Sequence, residues 1–146
     1  MAQSPRLATS VAPRVYHHLR IARPVSDLAK SVSMYRDGLG WSVLGQFADH
    51  DGFDGAMLGH AESSYHFEFT TRRLSHFVPA PTAEDLLVLY MPVVAEWQKA
   101  CKSMISAGFV EVAPVNPYWA AHGRTFQDPD GYRVVLQNSR WSHTPS

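Results

Sequence analysis

The chain has 146 residues, 45% hydrophobic and 18% charged, which supplies one packed core and excludes disorder over most of its length. Thirteen Lys and Arg balance thirteen Asp and Glu, so no net field gathers nucleic acid, and no apolar run reaches the roughly 18 residues of a membrane span. Cys101 is the single cysteine, which excludes an intramolecular disulfide and a cysteine-based zinc cluster; with no secretory h-region in MAQSPRLATSVAPR, the expectation is a cytoplasmic protein.

Residues 1–14 are rich in Ser, Pro, Thr and Ala without periodicity and read as a flexible tail, leaving 15–140 as one domain. YHHLRIA (16–22) alternates apolar Leu19 and Ile21 with His18 and Arg20, the period of a strand. Pro24 stops it, Ser26 is placed to cap a helix, and Leu28, Val32, Tyr35 and Leu39 form its apolar stripe up to Gly38 and Gly40. WSVLGQF (41–47), GAMLG (55–59) and SSYHFEFT (63–70) read as strands, with HDGFDG (50–55) a turn cluster. Residues 72–82 are a linker. EDLLVLYMP (84–92) begins a second strand, and a helix follows with Val93, Trp97, Cys101 and Met104 on one side. FVEV (109–112) is a strand and NPYWAAHG (116–123) an ordered loop. RTFQ (124–127), the turn DPDG (128–131) and YRVVLQN (132–138) close as a hairpin.

The order strand, helix, three strands occurs twice. Pro24-Val25 recurs as Pro92-Val93, and Gly40-Trp41 as Gly108-Phe109, both at an offset of 68; YHFEFT recurs as YRVVLQ at an offset of 67. This points to a duplicated βαβββ unit, with modules at about 15–71 and 84–140 in an α+β fold. Each half-sheet carries one helix on its outside, and the two curve around a central trough. Strand parity then names the lining. His18, Arg20, His66, Glu68 and Thr70 come from the first half, and Leu86, Val88, Tyr90, Arg133, Val135 and Gln137 from the second. A Glu on an inner sheet face must be paired, hydrogen-bonded or metal-bound.

HHLRIARPVSDLAKSVSMYRDGLGW (17–41), YHFEFT (65–70) and GRTFQDPDGYRVVLQN (123–138) resemble the vicinal oxygen chelate superfamily. That group includes glyoxalase I, bleomycin-resistance proteins, extradiol dioxygenases and methylmalonyl-CoA epimerase. In its metal-dependent members strands one, four, five and eight each supply a ligand, usually His, Glu, His and Glu. The resemblance places His18 and Glu68 at the first two of these positions, but Leu86 and Val135 at the others. Catalytic metal sites generally keep three protein ligands, and alkyl groups donate nothing. Any divalent metal ion would therefore rest on an incomplete set. His66, two residues from Glu68, offers a third donor with His18 in a two-His-one-carboxylate arrangement.

The departure from the ligand pattern favours a bleomycin-resistance-like protein that binds a small molecule in the trough, through Arg20, His66, Tyr90, Trp119 and Arg133. The alternative is an enzyme: a metal-dependent lyase, isomerase or dioxygenase, or a metal-free isomerase with Glu68 as general base. The resemblance implies a homodimer, while the balanced charge and the lack of a long apolar run imply no nucleic acid or membrane partner. His17 shares the parity of Leu19 and is expected in the core, whereas His50, His60 and His122 fall in loops.

Overall fold

The computed structural model describes residues 12–143, so the tail expected over 1–14 lies, up to residue 11, outside the described residues. The first module comprises β1 (Leu19–Pro24), α1 (Leu28–Leu39), β2 (Ser42–His50), β3 (Phe53–Gly59) and β4 (Tyr65–Arg72). The second comprises β5 (Leu86–Tyr90), α2 (Val94–Ser106), β6 (Val110–Val112), α3 (Tyr118–Ala121), β7 (Gly123–Gln127) and β8 (Arg133–Gln137). The two sheets have orders β1-β4-β3-β2 and β5-β8-β7-β6, the same topology twice. In each, the first and last strands of the module pair in parallel and the remaining pairs are antiparallel. The duplication read from sequence is therefore an architectural repeat. It yields two open four-stranded mixed sheets, the half-barrels of the glyoxalase fold.

Apolar alternation dictates which face each sheet turns to the helices. Phe67 and Phe69 of β4, Leu58 of β3, Val134 and Leu136 of β8, and Phe126 of β7 are fully buried with Tyr35 and Met104 in one core. Tyr35 packs edge-on against Phe69 and Phe109, with ring centroids 4.9 and 5.1 Å away. Trp97 also lies against this core, its indole N–H donating to the Leu136 carbonyl at 2.8 Å.

Several local details differ from the sequence expectation. Asp27, not Ser26, caps α1: its carboxylate accepts the Lys30 N–H at 3.1 Å. Ser26 is drawn instead to Asp130, which accepts its backbone N–H at 3.1 Å and its hydroxyl. Gly40 ends α1 in a left-handed conformation, φ 70°. Gly38 lies inside the last turn because α1 meets α2 there; a Cβ would fall 2.9 Å from Met104 Sδ and 3.0 Å from the Phe109 ring. The turn cluster expected over 50–55 contracts to Asp51-Gly52, and β3 already begins at Phe53. The loop around NPYWAAHG contains the short helix α3, inserted where the first module has only that two-residue turn. His17 is exposed, because β1 starts two residues later and no sheet yet covers it.

The DPDG hairpin reaches across to the first module. Buried Asp128 accepts the Tyr35 hydroxyl at 2.8 Å, while the Tyr132 hydroxyl donates to the Pro24 carbonyl at 2.8 Å. Arg23 inserts between the rings of Phe67 and Tyr132, 4.9 and 4.4 Å from their centroids. Together with the Ser26–Asp130 pair, these contacts fasten the start of β8 to the end of β1.

Candidate functional site

Parallel pairing of β1 with β4 sets Arg20 opposite His66 and Ala22 opposite Glu68, on the face turned away from the helices. Arg20 Nε–H donates to His66 Nε2 at 2.9 Å, and Arg20 Nη1–H donates to Glu68 Oε2 at 3.0 Å. His66 Nδ1 lies 2.6 Å from His18 Nε2. Because His66 Nε2 accepts from Arg20, the neutral ring must carry its proton on Nδ1 and donate it to His18. The four side chains thus form a directed chain, with Arg20 the donor at its root. Glu68 is 15% exposed at its side chain and Arg20 48%, so the carboxylate is set back and the guanidinium faces outward.

The His66 pKa is lowered from its ordinary value, first by desolvation, then by the charge of Arg20 and the presence of His18, with Glu68 opposing. Protonating His66 at Nε2 would place an N–H against the Arg20 N–H, so geometry and electrostatics both hold the ring neutral.

Next to this tetrad the face turns apolar. The Phe47 ring lies over Gly55, leaving no room for a Cβ there, and Met57 Cε similarly covers Gly45 at 2.9 Å from where a Cβ would stand. A pocket of about 320 Å³ opens beyond Glu68, lined by Ala22, Pro24, Phe53, Thr70 and Phe77 together with Arg23. Phe77 comes from the linker, and Arg72 extends over the Phe53 and Phe77 rings at 5.9 and 5.4 Å. Neither Phe77 nor Arg72 was singled out from the sequence, since the linker carries no periodicity to place it over the sheet.

The structure brings His18, Arg20, His66 and Glu68 together; no hydrogen bond or ring contact among the described residues joins them to Tyr90, Arg133 or Trp119. Arg133 donates to Gln127 Oε1 at 2.9 Å on the second sheet. Trp119 packs edge-on against Tyr118 and, with Leu86 and Val115, lines a cleft of about 90 Å³. Tyr90 is 38% exposed at the end of β5. Val135 is fully buried, as are Thr125 Oγ1 and Gln137 Oε1, two oxygens without a hydrogen-bond partner.

The family-implied metal can be tested against these residues, and they do not fit it. Leu86 and Val135 offer no lone pair, and among the described residues no group of three His, Cys, Asp or Glu side chains is arranged to hold an ion. The Arg20 guanidinium bridges His66 and Glu68, so the two donors that an ion would need are already turned toward a cation.

Family models for the YycE-like N-terminal and C-terminal domains match residues 19–70 and 84–138, the two modules described above. The uncharacterized protein YycE of Bacillus subtilis is 38% identical over 122 residues, 84% of this chain and 88% of that protein. The chain belongs to the YycE-like family. The crystal structure of Bacillus subtilis YycE, a protein of unknown function for which a glyoxalase or fosfomycin-resistance role is suggested, superposes with a TM-score of 0.82. It is 36% identical, over 88% of this chain and 94% of that one. More distant structures share the fold alone. Leishmania major glyoxalase I has a TM-score of 0.66 at 19% identity, over 86% of this chain and 88% of that one. TnmS3, an antibiotic-binding protein from Streptomyces sp. CB03234, has a TM-score of 0.59 at 21% identity, over 86% and 98%. The YycE-like chain therefore has the vicinal oxygen chelate fold. Among its described residues, no helix is long and apolar enough to cross a membrane.

Proposed function

We propose that this YycE-like protein binds a small molecule on the polar face of its first sheet without a metal ion. The observation that carries the reading is the Arg20 guanidinium hydrogen-bonded to both His66 and Glu68, with alkyl side chains at the other two family ligand positions. A guanidinium is permanently charged, so a divalent ion placed between the same donors would meet direct repulsion. The antibiotic-binding relative among the structural neighbours makes ligand sequestration a natural use of the fold. Elemental analysis of protein purified without chelator, alongside a thermal-shift panel of metals and small molecules, tests the reading. It is supported by substoichiometric metal and by stabilisation from an organic compound in EDTA. It is overturned by one equivalent of metal that is lost in Glu68→Ala.

A second reading is favoured by the 3.0 Å contact of Arg20 with Glu68: an isomerase in which Glu68 takes a proton beside a carbonyl whose oxygen Arg20 holds. Turnover that disappears in Glu68→Gln while ligand binding persists distinguishes it from the binder. The family resemblance also supports a homodimer. Leu19, Val43, Leu44, Tyr90 and Val110 are apolar residues exposed on strands that a second copy could cover, and light scattering on the purified protein tests this.

A further inference from the structure

The ligand's chemical class follows from what the tetrad leaves unused. Arginine carries five N–H donors. His66 and Glu68 each take one, leaving three on a side chain that is 48% exposed. The same two bonds fix the plane of the guanidinium, so its remaining donors are aimed before any ligand arrives. A carboxylate is the planar, two-oxygen acceptor that matches such a fork.

Charge on this face points the same way. Arg20 and Arg72 each contribute a positive charge, Glu68 a single negative one, and His66 is held neutral. Among the described residues Arg72 forms no ion pair; its guanidinium lies over the Phe53 and Phe77 rings. An incoming anion therefore meets a net positive face despite Glu68. The largely apolar pocket of Ala22, Pro24, Phe53, Thr70 and Phe77, with Arg23 in its wall, begins where the tetrad ends, since Ala22 pairs with Glu68 and Thr70 follows two residues along the same strand face. Glu68 and Thr70 lie about 7 Å apart along the strand, a step that a short chain between a carboxylate and a ring can bridge, and Phe53, opposite Arg72, lines the same pocket from two residues further on. The pocket's aromatic walls suit a flat apolar group.

Resting on the small-molecule reading above, we propose that the site takes an arylalkyl carboxylate, its carboxylate on the free N–H groups of Arg20 and its apolar group between Phe53 and Phe77. The Arg20 side chain thereby supplies the positive centre that an ion supplies in metal-dependent proteins of this fold. It does so for binding an oxyanion.

The test is calorimetric titration of the full chain in EDTA with three probes: 3-phenylpropionate, its neutral amide 3-phenylpropionamide, and propionate, which lacks the ring. The His66 ring resonances are followed by NMR in parallel. The expected result is that 3-phenylpropionate binds about tenfold or more tightly than either of the others and shifts His66. Arg20→Met removes that preference for the acid over the amide, and Arg20→Lys restores part of it. Phe77→Ala, in the exposed linker, weakens 3-phenylpropionate but leaves propionate unchanged. Equal affinity for the amide, or an unchanged preference in Arg20→Met, overturns the proposal. If no carboxylate binds while a neutral compound from the thermal-shift panel moves His66, the carboxylate class is wrong and the small-molecule reading stands. If nothing in that panel moves His66, both fall.

Discussion

The Tyr35 hydroxyl donates to Asp128 Oδ2 at 2.8 Å across the boundary between the two modules, with both residues buried. The other oxygen of Asp128 accepts the backbone N–H groups of Asp130 and Tyr132 at 2.9 and 3.0 Å, so the carboxylate organises the DPDG turn while it holds the first helix. Burial raises the Tyr35 pKa far above its ordinary value, Asp128 adding to the effect, so the phenol remains a donor at any working pH. Tyr35→Phe keeps the ring packing but strips Oδ2 of its buried partner, which is expected to cost about 1–3 kcal/mol. Urea unfolding should show a lower midpoint with an unchanged slope.

Asp128 itself has a raised pKa, chiefly through desolvation, against which its hydrogen bonds act. A carboxylate raised in the folded state favours folding below its unfolded pKa and loses that contribution as pH climbs through the folded value. His66 has the opposite sign of consequence. Its folded pKa is depressed, so the unfolded chain takes up a proton first as pH falls below about 6.5, and stability declines from there toward the folded pKa. NMR titration is expected to place His66 below that ordinary value, and Arg20→Met to move it upward. An unmoved midpoint in Arg20→Met would contradict the Arg20–His66 bond.

At Gly38 the two helices approach too closely for a side chain, with Met104 Sδ 2.9 Å and the Phe109 ring 3.0 Å from the position of a Cβ. Alanine gains about 1 kcal/mol of helix propensity there, while overpacking costs about 1–3 kcal/mol. Met104 has a flexible end, but Phe109 is fixed by its contact with Tyr35. The expected net result for Gly38→Ala is a loss of about 1 kcal/mol, and for the branched Gly38→Val a larger one, measured by thermal unfolding.

Trp97 anchors α2 to β8 through its N–H bond to the Leu136 carbonyl. Trp97→Phe retains most of the apolar contact and deletes the donor, so a loss of about 1 kcal/mol is expected in denaturant titration. A variant as stable as the natural chain would show that water replaces the indole N–H without cost.

The alternation of Phe67 and Phe69 with His66 and Glu68 carries strand identity and facing in the sequence itself, and the repeated punctuation carries the repeat; Leu19 has the parity of the core but, at the start of β1, stays exposed. What strand parity cannot give is register. Arg20, His66 and Glu68 are legible as three residues on one face. Only the parallel pairing of β1 with β4 sets the guanidinium between the imidazole and the carboxylate. The helix cap shows the same limit: Ser26, the cap expected from sequence, is claimed by Asp130, a residue 104 positions away, and Asp27 takes its place. Glycine spacing near a helix end suggests termination, yet Gly38 answers to a neighbouring helix, which no local pattern reveals. Tyr90, read on the second half's lining, stands at the end of β5, and Trp119 stands on the short helix α3.

The Asp128–Tyr35 and Asp130–Ser26 contacts join the last quarter of the polypeptide to its first. During synthesis, the amino-terminal half emerges with the Tyr35 hydroxyl, the Pro24 carbonyl and the Ser26 hydroxyl still awaiting partners that leave the ribosome only with residues 128–132. Although the halves share one topology, they are expected to reach their final state together and late, in a single cooperative step. A truncated half should be recovered as a sticky, protease-sensitive species rather than as a small independent protein.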